Sequence, residues 1–145
     1  MVSTLCKEKN NVFNNIKTEE FTLENRLELL RKSGQISEQV LAETKEVKQI
    51  IEDRYKIKLT EERERDRMFV THVALALQRL INGNEIEKVS PDIIAEVKGY
   101  PEEFGFAKDI ANKIERKLNV KVPESELAFI AAYLCIFHGK IEPLK

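Results

Sequence analysis

The sequence predicts an all-α protein, a compact bundle of about five to six helices. Three observations carry this. Gly (5) and Pro (4) are scarce in 145 residues and Trp is absent, so the punctuation of a many-turned β fold is missing. Apolar residues recur three and four apart through most of the chain, the period of a helix face. Most of these stretches are bracketed by a capping residue at the start and a Gly or Asn at the end. With 42% hydrophobic residues, a chain of this length is one domain's worth and buries a core without disulfides or metal.

Residues 1–21, with Asn10, Asn11, Asn14 and Asn15 among scattered lysines, show no period and read as a lead-in. The helical domain spans 22–145. Thr22 caps a first helix with Leu23, Leu27 and Leu30 on one face, stopped near Gly34. Ser37 caps a second, whose stripe is Val40, Val47, Ile51 and Tyr55. A third runs from Thr60, an imperfect capping box with Arg63, to Asn82 and Gly83. Its first turns are charged, and Met68–Ile81 is apolar almost all round, as if it entered the core. After a loop, Ser90-Pro91 is an N-cap followed by proline at the first helical position. That short helix carries Ile93, Ile94 and Val97 and ends at Gly99. Pro101 restarts helix, burying Ala107, Ile110, Ala111, Ile114 and Leu118, with Asn119 closing it in a left-handed turn. Pro123 opens the last helix, rich in Leu127, Ile130, Ala131 and Leu134 and ended by Gly139. Val120–Val122 is β-flavoured but too short for a strand.

Charge excludes some function classes. Lys+Arg number 24 against 25 Asp+Glu, so bulk positive charge holds no nucleic acid. Arg63, Arg65 and Arg67 alternate with Glu62, Glu64 and Asp66, a solvated helix face, and no direct nucleic-acid contact is expected. Cys6 and Cys135 are far apart, with no CxxC and no Cys/His cluster, so neither a metal site nor a disulfide framework is expected. No cofactor motif or glycine-rich phosphate loop is present. The opening residues lack a signal peptide's apolar region, and the apolar runs are too short for a bilayer. A cytoplasmic protein without membrane contact is the expectation.

Two histidines exist, His72 and His138. Helical spacing puts Arg65, Met68, Phe69, His72, Ala76 and Arg79 along one side of the third helix. The ordinary role of a lone histidine in an apolar helix is structural; the alternative draws on its titration near neutrality and nucleophilic nitrogens. Glu124, Glu126, Asp92, Glu102 and Glu103 read as favourable charges at helix N-termini. No base is paired with a nucleophile at a telling spacing, so the residues alone do not predict an enzyme.

THVALALQRLINGNEIE, followed by YPEEFGFAKDIANKIERKLNVKVPESELAFIAAYL, resembles the PTS regulation domain (PRD), by which bacterial phosphotransferase-system regulators sense sugar transport. His72 and Arg79 match a family histidine and the arginine seven positions on. Tyr100, Pro101, Glu102, Glu103 and Phe104 match a tyrosine-proline-acidic-acidic-aromatic segment. Ala107 through Ala131 match the helix pattern that follows. The likeness is strong over roughly residues 65–135 and weaker back to about 22.

The resemblance implies a non-enzymatic regulator. His72 would accept a phosphoryl group from HPr or an enzyme II component, with Arg79 as a charge-assisted partner for the dianion. The signal would pass through protein–protein contacts in a homodimer, to a separate regulator protein, in transcription regulation. The rivals are a PRD-fold interaction module that is never phosphorylated, and an enzyme using His72 with a carboxylate in a closed pocket. Family members usually carry two PRDs and an output domain, whereas about one PRD fills this chain. The family's usual second histidine is replaced by Tyr133. A neutral phenol is a poor acceptor, so one phosphoryl group per chain is expected, with Tyr133 left to contact a phosphate on His72. His138, five residues on, is turned about 140° further round the helix. The apolar circumference of the last helix also suggests self-association.

Overall fold

The structure, a computed structural model, describes residues 21–84 and 88–141. The described residues form six α-helices: α1 (Leu23–Lys32), α2 (Glu38–Tyr55), α3 (Glu64–Ile81), α4 (Pro91–Lys98), α5 (Pro101–Leu118) and α6 (Glu124–Phe137). The described residues include no strand. Nearly all of the expected lead-in, including Cys6, lies outside the described residues.

Local chemistry accounts for most boundaries. The Thr22 hydroxyl accepts from the Asn25 N–H at 3.0 Å while the Asn25 side chain accepts from the Thr22 N–H, a reciprocal capping box. Ser37 and Ser90 cap α2 and α4 in the same sense. Asn119 ends α5 with φ at 56° and ψ at 50°, the left-handed conformation that asparagine tolerates.

The start of α3 departs from expectation. Thr60 is no cap: its N–H donates to Asp66 Oδ2 at 2.9 Å, and α3 begins only at Glu64. Asp66 is fully buried. Reaching back, it winds residues 60–63 into a turn outside the helix, and the Arg67 guanidinium reinforces this by donating to the Glu61 carbonyl at 2.8 Å. Nor is Met68–Ile81 buried all round. Phe69, Val70, Val73, Ala74, Ala76 and Leu77 are buried, but Met68 and Ile81 are exposed.

The helices form two sets of three. In one, α1, α2 and α3 pack on one another; in the other, α4, α5 and α6 do; the α2–α5 contact and the aromatic side chains between α3 and α6 join the sets. Leu27, Val40, Ile51, Phe69, Leu77, Ile110, Ile114 and Leu134 build the common core. Ion pairs link elements: buried Lys48 of α2 lies 3.1 Å from half-buried Glu24 of α1, as well as 3.0 Å from Glu52 of its own helix, and Lys113 of α5 lies 2.9 Å from buried Glu43 of α2.

Helix α6 is central. Every apolar side chain on it is buried or half-buried within this one chain. Its apolar circumference therefore supplies no argument for self-association. Against α3 it packs through aromatic side chains, and that seam carries the site.

Candidate functional site: an imidazole between α3 and α6

Phe69 and His72, one turn apart on α3, both face α6. Phe69 is 1% exposed. Its ring meets Phe137 edge-on at 5.2 Å between centroids, Tyr133 at 5.4 Å and Phe129 at 6.1 Å. These three come from successive turns of α6, at the four-residue spacing that aligns one helix face. The His72 ring continues the seam outward and stacks on Phe129 at 3.7 Å.

The first turn of α6 supplies the polar half. Glu126 is almost wholly buried, and its Oε2 lies 2.9 Å from His72 Nε2. A buried carboxylate needs a partner, and the imidazole supplies it. With Nε2–H donating to Glu126, the lone pair falls on Nδ1, which has no hydrogen-bond partner among the described residues. The His72 side chain stays 40% exposed. This is a held nucleophilic ring open to solvent, not a closed pocket. An acid stands beside His72, as an acid–base enzyme would require, and the described residues leave the His72 side chain 40% exposed.

The other expected site residues are placed less directly. Arg79 is exposed on α3, two turns beyond His72, a rise of about 10 Å. Tyr133 is half-buried, and Phe129 touches both it and His72. Burial, and secondarily the charge of Glu64, push the Tyr133 phenol above its ordinary pKa, so it is neutral at physiological pH.

Glu126 and Phe129 are the site residues that sequence reasoning missed. Glu126 reads as a helix N-terminal charge, and its pairing with His72 spans 54 residues. The one legible signal was their shared face with Tyr133 on α6.

A second imidazole–carboxylate pair stands at the other end of α6. His138 Nδ1 lies 2.7 Å from Glu103 Oε2, and Lys140 Nζ lies 3.2 Å from the same oxygen. Glu103 is 1% exposed. Burial pushes its pKa up, but hydrogen bonds from His138, from the backbone and from Lys140 outweigh this and hold it below the ordinary carboxylate range. Because its folded pKa is depressed, Glu103 contributes stability that is present above the unfolded value of about 4.3 and lost as pH falls through the folded one. Glu102, Tyr55 and Cys135 also border the group. Glu103→Gln is expected to lower the urea midpoint at pH 7 more than at pH 3; an equal loss at both would contradict this.

No helix among the described residues is long and apolar enough to cross a membrane. The family model for the PRD domain matches residues 45–135, from the middle of α2 to near the end of α6, and so takes in His72, Glu126 and Tyr133. No curated protein and no solved structure matches the chain.

Proposed function

Since the chain belongs to the PRD domain family, a family of regulatory domains, we propose that it is a phosphorylation-responsive regulator of the bacterial sugar phosphotransferase system. His72 accepts a phosphoryl group from HPr or an enzyme II component. The observation that carries this reading is the state of His72: one nitrogen held by buried Glu126, the ring backed by Phe129, the other nitrogen free, and the side chain 40% exposed. An acceptor needs an oriented ring within reach of a donor protein.

The phosphoryl group arrives as a dianion on a surface that holds a carboxylate. Arg79 supplies the compensating charge, and Tyr133 a neutral hydroxyl behind Phe129. The change in charge alters contacts with a second copy in a homodimer and with a separate regulator protein, and so acts on transcription in the cytoplasm. Incubation with phosphoenolpyruvate, enzyme I and HPr, read by intact mass, tests this. Wild type is expected to gain phosphoryl mass, and His72→Ala is expected to lose the uptake at this site. Uptake by His72→Ala at the wild-type rate, with residue 72 unmodified in the wild type, would refute the assignment. No uptake by any form would make the chain a helical interaction module of the PRD fold.

A further inference from the structure

We propose that His138 is a second phosphoryl-acceptor site, at the opposite end of α6 from His72. This rests on the reading that the chain exchanges phosphoryl groups with a phosphohistidine donor. The two imidazoles are held alike. His72 has one nitrogen 2.9 Å from a glutamate whose side chain is 3% exposed; His138 has one nitrogen 2.7 Å from a glutamate whose side chain is 1% exposed. Their side chains are 40% and 37% exposed. Each ring is backed by an aromatic face, Phe129 at 3.7 Å and Tyr55 at 4.2 Å. The pairs come from different helices, so no sequence repeat produces the likeness.

Three features go beyond what a structural ion pair requires. His138 Nε2 has no hydrogen-bond partner among the described residues. Glu103 Oε1 is buried with no hydrogen-bond partner among them, while its Oε2 takes both His138 and Lys140. The Lys140 ammonium, 3.2 Å from Glu103 Oε2, is 41% exposed, and an exposed ammonium is able to turn to an incoming phosphoryl group as a charge-assisted donor. Glu102 completes a cluster whose ligand atoms lie within 4.8 Å of one another.

The step balances without a further reactant. The Nε2 lone pair of neutral His138 attacks phosphorus on the donor's phosphohistidine. The new N–P bond forms as the donor's N–P bond breaks, and the donor ring, protonated on its other nitrogen, leaves as neutral imidazole. The proton on His138 Nδ1 stays hydrogen-bonded to Glu103, whose charge offsets that of the phosphorylated ring. The expectation of a single group, drawn from the loss of the family's second histidine at Tyr133, therefore gives way to two groups at different positions.

The test uses the full chain with phosphoenolpyruvate, enzyme I and HPr, read by intact mass and by mapping of the modified residue. Wild type is expected to take up two groups, His72→Ala one on residue 138, His138→Ala one on residue 72, and the double variant none. His138→Gln serves as a second variant should alanine disturb the end of α6, with the melting curve as control. Glu103→Gln is expected to slow uptake at residue 138 on the order of tenfold or more and to leave residue 72 unaffected. One group in the wild type, lost entirely in His72→Ala, overturns this inference and leaves the proposed function standing. One group lost in His138→Ala alone upholds it and overturns the assignment to His72. No uptake in the wild type overturns both.

Discussion

Glu126→Gln is expected to slow phosphoryl uptake at His72 by on the order of a hundredfold, with little change in stability. The carboxylate holds the Nε2 proton at 2.9 Å, which keeps the lone pair on Nδ1 and offsets the positive charge the ring acquires as the N–P bond forms. Glutamine preserves shape and one oxygen but supplies no charge, and its amide can face the ring and select the other tautomer. Glu126 is a positioning residue, so its effect should appear in a readout that packing alone does not move. Nitrogen NMR of His72 is expected to show one dominant tautomer in the wild type and a mixture in Glu126→Gln. Glu126→Asp is expected to restore part of the rate. The melting temperature should move little, since exchanging one hydrogen-bonded partner for another is worth about 1 kcal/mol. Unchanged tautomer and rate would remove Glu126 from the site.

Phe69→Ala is expected to destabilise the protein by about 3–5 kcal/mol. The Phe69 ring is 1% exposed and meets three aromatic rings of α6, so truncation leaves a cavity where α3 and α6 touch. Part of a domain's stability of about 5–15 kcal/mol is then gone. Urea unfolding should show a lower midpoint with an unchanged slope. Phe129 backs His72 and leans on this seam, so uptake at His72 should fall with it, whereas His138, stacked on Tyr55 of α2, should keep its rate. A loss under about 1 kcal/mol would mean that the seam repacks or is not the close contact described.

His72, Arg79 and Tyr133 were legible in the residues, and the glutamate and aromatic ring that hold the imidazole were not. His72 stood out because imidazole is rare here and sits in a long amphipathic helix. Glu126 did not, because a glutamate three residues past Pro123 already has a local explanation as an N-terminal charge. Glu103 was hidden in the same way behind Pro101. In both cases the local explanation is true and incomplete: the same glutamate favours its own helix start and is buried against a histidine from elsewhere.

What the sequence determined by itself was the set of helices and most of their ends. Thr22, Ser37, Ser90, Pro101 and Asn119 act within about four residues of their own position, so their effect is written where they stand. The start of α3 escaped because Asp66 reaches back six residues to Thr60, beyond any capping pattern. The tertiary structure alone decided which glutamate meets which histidine. His72 and Glu126 lie 54 residues apart, and His138 and Glu103 lie 35 apart. Their meeting depends on the crossing of α3 with α6, and of α5 with the end of α6. Those crossings are set by how the volumes of Phe69, Phe129, Phe137, Ile110 and Leu134 fill a shared core, a property of all the side chains together and of no single stretch.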